Sequence, residues 1–355
     1  MLKKILNISI VVFMIIIIFV NYNKNSIITN SKVELVNPAK VGVLIYKLDD
    51  EYTSTIQKNL EEIQKENVGK VEFSFFDANG DQSKQNETID TVLKNEVDLL
   101  LVNLVDTSEK STQTVIDKIK EKNIPVIIFN REPISKIPVK SYEKAIVLAR
   151  NPEEAGILQG KILVDLWNTH RSEIDVNKDS IMQYVMLTGE RNNLDTIART
   201  KYPIETINKN GIKTEEIALR VSDWSRKLAE EAVTPLLYQY GNKIEVIIAN
   251  NDAMAIGAIE ALQKQNYNKG DETKKIIVVG VDATPEAQEL IKKGFMSGTV
   301  FQDPRAEAEA LYTLGMNLIS GKSAIENTDY EFDDTGVTIR IPYKEYITEL
   351  KNNKI

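Results

Sequence analysis

From residue 40 onward, short apolar runs alternate with stretches whose apolar residues recur at helical spacing. The first run is V-G-V-L-I-Y at 41–46, and Ile56, Leu60 and Ile63 follow it three or four positions apart. Further runs stand at 71–76, 97–102, 124–129 and 145–149. Ile89, Val92 and Leu93 precede the run at 97–102, and Val115, Ile116 and Ile119 follow it. A strand of unbroken apolar residues needs burial on both faces, and helices with one apolar stripe supply that cover. The pattern therefore predicts an α/β unit with a parallel sheet. It then restarts with a helix near 153–168 and runs at 181–187, 216–219, 245–249, 276–281 and 298–301. Helix ends are readable too. Thr284-Pro285 puts proline in a first turn, Gly294 lies just past a last one, and Pro304 opens a long helix that stops near Gly321. Two α/β units are expected, as the length of 355 residues also favours. Neither carries a phosphate loop or a G-x-G-x-x-G turn, which argues against a nucleotide enzyme.

The first twenty residues break the rhythm. Lys3 and Lys4 precede an apolar run from 8 to 20 that only Ser9 interrupts. A positive end before about a dozen apolar residues marks export, either as a cleaved signal or as an uncleaved anchor with the lysines on the cytoplasmic side. No small-x-small cleavage site follows, and the chain has no cysteine to carry a lipid. Residues 21–38, rich in Asn, Lys and Ser, read as a linker.

Charge and chemistry narrow the function. The net charge of −8 disfavours a nucleic-acid binder, which needs a basic face to displace counterions. Without cysteine there are no disulfides, thiolate metal sites or thiol nucleophiles. His170 is the single histidine and sits in a polar W-N-T-H-R-S context, so a Ser-His-Asp site has little to draw on.

In open parallel sheets, ligands bind beyond the carboxyl ends of the strands. Those ends supply Asp49, Asp50 and Tyr52, then Asn130, Arg131 and Glu132, then Asn193, Asp195 and Arg199. Trp224 follows, then Asn250, Asn251 and Asp252, then Asp282, Gln302 and Asp303. There is no lysine cluster for phosphate and no histidine set for a metal. Sugar hydroxyls both donate and accept, so fixed carboxylates and amides satisfy them, at about 1.5–3 kcal/mol per charged hydrogen bond. An arginine forks onto two oxygens. Trp224 and Tyr52 are placed to cover the apolar faces of a ring. Any one strand-end Asp or Asn also serves as a helix cap. It is the recurrence at seven strand ends that points to a polyol.

Several long stretches carry a resemblance. They are Y-K-L-D-D-E-Y (46–52), N-G-D-Q-S-K-Q-N (79–86), V-N-L-V-D (102–106), F-N-R-E-P (129–133), residues 241–262 and G-V-D-A-T-P-E-A (280–287). From about residue 40 to its end, the chain resembles the periplasmic galactose/glucose-binding proteins of ABC importers. The resemblance implies two Rossmann-like lobes joined by three hinge crossovers near 149–151, 301–302 and 337–340. The first lobe would span 39–149 plus 302–338, and the second 150–301 plus 339–355. It assigns sugar hydroxyls to Asp50, Asn130, Asp195, Arg199, Asn251 and Asp282, with Trp224 and Tyr52 as the stacking pair. Asn193 stands where the family has histidine, and Gln302 where it has asparagine. Both still hydrogen-bond, but with changed reach.

One loop asks for separate chemistry. In D-V-N-K-D-S-I-M-Q (175–183), oxygen donors fall at every second residue. Positions 1, 3, 5, 7 and 9 of a calcium loop would be Asp175, Asn177, Asp179, the Ile181 carbonyl and Gln183. A solvated acidic turn has the same spacing. An EF-hand would add a glutamate at position 12, where Met186 stands; the resemblance implies that the distant Glu245 replaces it and that the ion is structural Ca2+. Ser180 takes the place of the family's turn glycine.

The expected behaviour is hinge closure on a monosaccharide, galactose or glucose foremost, for delivery to an ABC importer permease. A tethered sensor reporting to a histidine kinase or chemoreceptor is the alternative. A glycoside-acting enzyme using Asp49, Asp50 or Asp195 is a remote one. A sugar-responsive repressor is disfavoured because no DNA-binding helices precede residue 40.

Overall fold

A computed structural model describes residues 37–346. The signal or anchor expected at 1–20 and all but the last two residues of the linker lie outside that range.

The first lobe begins β1 (Ala39–Ile45), α1 (Glu51–Glu66), β2 (Val71–Asp77), α2 (Gln82–Val92) and β3 (Leu99–Val102). It continues with α3 (Glu109–Glu121), β4 (Val126–Phe129), α4 (Ile137–Lys140) and β5 (Ala145–Ala149). The second lobe holds α5 (Pro152–Ile174), β6 (Ile181–Thr188), α6 (Leu194–Lys209), β7 (Lys213–Val221) and α7 (Arg226–Tyr240). Then come β8 (Val246–Ala249), α8 (Asp252–Lys264), β9 (Ile277–Asp282), α9 (Pro285–Lys292) and β10 (Gly298–Phe301). The chain returns to the first lobe with α10 (Pro304–Ile319) and β11 (Thr338–Arg340), and ends in the second with β12 (Lys344–Tyr346). Each sheet has six strands, in the orders β11-β5-β4-β3-β1-β2 and β12-β10-β9-β8-β6-β7.

The apolar runs explain the layers. Successive strand residues face opposite sides of a sheet. Val41, Val43 and Ile45 accordingly pack with Ile56, Leu60 and Ile63 of α1 and Leu311 and Leu314 of α10. Leu44 joins Ile89 of α2 and Val115, Ile116 and Ile119 of α3 on the other side. In the second sheet, Val185, Leu187 and Ile247 meet α7 and α8. Met186, Val246 and Ile248 meet Ile162 and Leu163 of α5 and Ile207 of α6.

The two lobes are joined at 150–151, 302–303 and 341–343, all at the carboxyl ends of strands. Two expectations need correction. Residues 338–340 pair with β5 in one register, Ile339 opposite Leu148, and Ile339 is buried in the first core. The boundary expected between 338 and 339 thus falls inside a first-lobe strand, and the third crossing follows Arg340. The second sheet is also not wholly parallel, because β12 runs antiparallel to β10. Its strand enters from the crossing, at the carboxyl end of its neighbours, so it can only run downward. The strand expected at 216–219 is longer because β7 is an edge strand with many exposed polar positions, which hide it from an apolar-run criterion. Among the described residues, no helix is long and apolar enough to cross a membrane.

Candidate functional site

Between the carboxyl ends of the two sheets lies a cavity with about 410 Å³ of empty space, its open mouth included. The first lobe gives it Asp50, Tyr52 and Asn130. The second gives Asn193, Asp195, Arg199, Trp224, Asn251 and Asp282, and Gln302 comes from the crossing after β10. All ten residues singled out from the sequence are brought together. Tyr46 and Arg131 also line the cavity. Arg131 was visible at a strand end without being assigned to the ligand. Tyr46 looked like the last core residue of an apolar run.

Local folding explains these positions. Asp50, Asn193 and Asn251 are the N-caps of α1, α6 and α8. Capping and cavity lining are therefore not alternatives: each cap points its helix's positive end at the cavity and keeps bonding capacity for a guest. Asp50 Oδ1 accepts from the Thr53 N–H at 2.9 Å and Oδ2 from the Tyr46 hydroxyl at 2.7 Å, so each oxygen has a lone pair left. Asn193 Oδ1 accepts from Asp195 N–H and Thr196 N–H, and its NH2 group has no acceptor among the described residues. Asn130, Trp224 and Asp282 all adopt positive φ, at 59°, 63° and 127°. Such backbone is uncommon outside glycine, and here it aims each side chain.

Arg199 is buried at the floor. It donates to the Asn250 carbonyl at 3.0 Å, to Asp195 Oδ1 at 2.9 Å and to the Tyr343 hydroxyl at 2.8 Å. Burial alone would lower its pKa, but Tyr343, Asp195 and Asp282 hold it charged. Asp282 is buried, and its carboxylate has no hydrogen-bond partner among the described residues. Burial pushes its pKa well above the usual carboxylate range; Asp252 adds to this and Arg199 opposes it. Tyr52 donates its hydroxyl to Glu307 at 2.7 Å, so only its ring is offered to the cavity. Trp224 lies against Gly189, where a Cβ would come within 2.2 Å of the indole. Asp49 is exposed and paired with Lys47, outside the cavity lining. The site therefore mixes fixed acceptors, fixed donors and two aromatic surfaces, as a neutral polyol requires.

The loop at 175–183 forms a second cluster. Glu245 directly precedes β8, which pairs with β6, so it does lie beside the loop. Its two oxygens accept from the Val176 N–H at 3.0 Å and the Gln183 N–H at 3.1 Å. Burial raises its pKa to about 7, against those two hydrogen bonds and with help from Asp175 and Asp179. Asp175 Oδ2 accepts from the Ser180 N–H, while Oδ1 is buried without a partner. The side-chain amides of Asn177 and Gln183 both donate to Asp179 Oδ2, at 2.9 and 2.7 Å. Among the described residues, no group of three or more acidic, histidine or cysteine side chains forms a metal cluster by itself. A cation here would depend on the amide oxygens, which a half-turn of each amide presents, and on the Ile181 carbonyl. The orphaned Asp175 oxygen and the repelling acids fit a hard cation with oxygen ligands. Ser180 has φ of 68°, the conformation for which glycine is the easier residue.

Comparison with known proteins adds the following. The chain matches the sequence profile of the periplasmic binding protein domain over residues 41–323. It is 39% identical over 305 residues to a D-galactose/methyl-galactoside binding periplasmic protein of Haemophilus influenzae, covering 86% of this chain and 88% of that one. An ABC transporter solute binding protein from Bacillus halodurans, solved with bound myo-inositol, superposes with a TM-score of 0.70 at 26% identity, covering 88% and 95%. A periplasmic solute binding protein of an ABC transporter from Actinobacillus succinogenes, solved with D-allose, gives 0.72 at 19% identity, covering 88% and 98%, and attests the fold. All three are binding proteins, not enzymes.

Proposed function

Because this chain belongs to the periplasmic binding protein domain family, we propose that it is an extracytoplasmic receptor for a monosaccharide of the galactose or glucose type. It hands that sugar to an ABC importer. Its two α/β lobes have the type I periplasmic-binding fold, and the chain binds rather than catalyses. The observation that carries the reading is the convergence of polar side chains from both lobes on one cavity, with Asp282 buried at its wall and without a hydrogen-bond partner among the described residues.

The mechanism follows from the geometry. A sugar held by Asp50 and Asn130 from one side and by Asp195, Arg199, Asn251 and Asp282 from the other bridges the lobes. It therefore binds the closed form better and shifts the population toward it. Trp224 and the Tyr52 ring cover the apolar faces of the sugar. Asn193 and Gln302 set the reach of two further hydrogen bonds and so influence which epimer fits. A structural Ca2+ held by Asp175, Asn177, Asp179, Ile181, Gln183 and Glu245 would tie the loop before β6 to the start of β8.

Titration calorimetry on the full chain with galactose, glucose, xylose and myo-inositol tests the reading. Galactose or glucose is expected to bind most tightly, with a smaller radius of gyration by solution scattering on saturation. Replacing Trp224 by alanine is expected to weaken binding roughly tenfold by removing the stacking surface. Absence of heat with all of these sugars would sink the proposal.

A further inference from the structure

Among the described residues, two ion pairs cross the cleft, and they differ in kind. Arg131 of the first lobe reaches Glu190 of the second at 2.6 Å, with side-chain exposures of 7% and 40%. On the other contact, Arg226 of α7 lies 3.9 Å from Glu51 of α1. Arg226 is already held by two carboxylates of its own lobe, Glu260 at 2.7 Å and Glu286 at 2.8 Å. Glu51 is a distant third partner, and losing it leaves Arg226 satisfied. Glu190 has no such substitute among the described residues.

Arg131 is fixed before Glu190 arrives. Its Nε donates to the Leu104 carbonyl at 2.5 Å and one terminal nitrogen to the Val105 carbonyl at 2.9 Å, at the end of β3. Its guanidinium lies 4.2 Å from the centre of the Tyr46 ring, and Tyr46 donates to Asp50. Glu190 is fixed in the other lobe. Its carbonyl accepts from the Asn193 N–H at 3.2 Å, and the preceding Gly189 carries the indole of Trp224 on its bare backbone. The pair thus joins the support of Asp50 to the support of Trp224 across the cleft.

We propose that Arg131 and Glu190 form a cross-lobe latch that positions the two halves of the site and sets how long the ligand is retained. The proposal rests on the sugar-receptor reading. A bond between the lobes adds free energy to the closed state only, so it raises affinity through the closing equilibrium. It acts after encounter and appears in the dissociation rate. It also makes the binding of a neutral sugar salt-dependent, because the latch is ionic and its Glu190 end is open to solvent.

Stopped-flow and calorimetric titration of the full chain with the best-binding monosaccharide, at low salt and at high salt, is the test. For Glu190→Gln we expect about a tenfold faster dissociation, with the association rate within about twofold. The melting temperature without sugar stays unchanged, and the salt dependence of Kd seen in the unaltered chain disappears. Glu51→Gln leaves Kd within about twofold, because Arg226 keeps both its own partners. If the unaltered chain binds sugar and Glu190→Gln matches it in dissociation rate and salt response, the latch is refuted and the receptor reading stands. If Glu51→Gln weakens binding as much as Glu190→Gln, general cleft electrostatics replaces the latch. If the unaltered chain binds no monosaccharide, both fall together.

Discussion

At the level of single residues, the cavity shows a conflict between folding and binding. Asp282 is buried, has no hydrogen-bond partner among the described residues, and shares its surroundings with Asp252, another buried acid. Its folded pKa is raised, so its sign is the reverse of a salt-bridged carboxylate. The contribution favours folding below the unfolded carboxylate range, near pH ~4, and is lost as pH rises through the folded value. Its ionised form is therefore destabilising in the unliganded protein, and a sugar hydroxyl that donates to it would offset that cost. Asp282→Asn is expected to raise the melting temperature without sugar and to weaken sugar binding roughly 10–100-fold, the worth of one charged hydrogen bond. Asparagine also matches the shape of the aspartate it replaces, so the substitution asks for no backbone change. Parallel melting curves and calorimetry check it; a variant less stable than the parent would refute the argument.

At the level of elements, legibility followed the range of the interaction. The apolar runs of β1 and β3 to β6 stood out because both faces of each strand are buried, which is a local property of sequence, and the edge strand β2 showed through Val71, Phe73, Phe75 and Phe76. So did the cap Asn251, a short polar residue before the apolar start of α8. The full length of the edge strand β7, beyond its apolar stretch at 216–219, and the reversed β12 were not legible, since exposure and chain direction are decided by what lies beside them. Tyr46 and Arg131 escaped for the same reason: their roles depend on Asp50, Leu104 and Glu190, which sequence separation hides. The 175–183 loop lies between these cases, with a readable spacing and a partner, Glu245, that only the pairing of β6 with β8 brings close. If the loop holds Ca2+, saturation at about a hundred times Kd adds about 2.7 kcal/mol. A chelator is then expected to lower the melting temperature by several degrees, and calcium, but not magnesium, to restore it. In Glu245→Gln the calcium increment shrinks or vanishes. Scanning calorimetry with and without chelator decides; identical traces would leave the loop a plain acidic turn.

For the whole molecule, hinge bending needs three crossings that bend together. One side chain touches all of them. Arg150 sits on the first crossing, donates to the Asp303 carbonyl on the second at 2.8 Å and to the Pro342 carbonyl on the third at 2.8 Å. Arg340 returns the contact by donating to the Arg150 carbonyl at 2.7 Å. Arg150 also lies 3.5 Å from Glu307, both almost fully buried, and Glu307 is the acceptor for Tyr52 in the cavity wall. The fastening of the hinge and the floor of the site therefore share one buried charge pair. Removing one member of such a pair leaves the other uncompensated, whereas removing both is far milder. Arg150→Met is accordingly expected to cost about 3–5 kcal/mol in urea-induced unfolding. Adding Glu307→Gln to it should recover part of that loss, because the stranded carboxylate is gone while the Tyr52 hydroxyl keeps an acceptor. A double variant no more stable than Arg150→Met would place the cost in the two orphaned carbonyls rather than in the charge. A single variant unfolding at the parent's midpoint would show that the crossings are held by something other than Arg150.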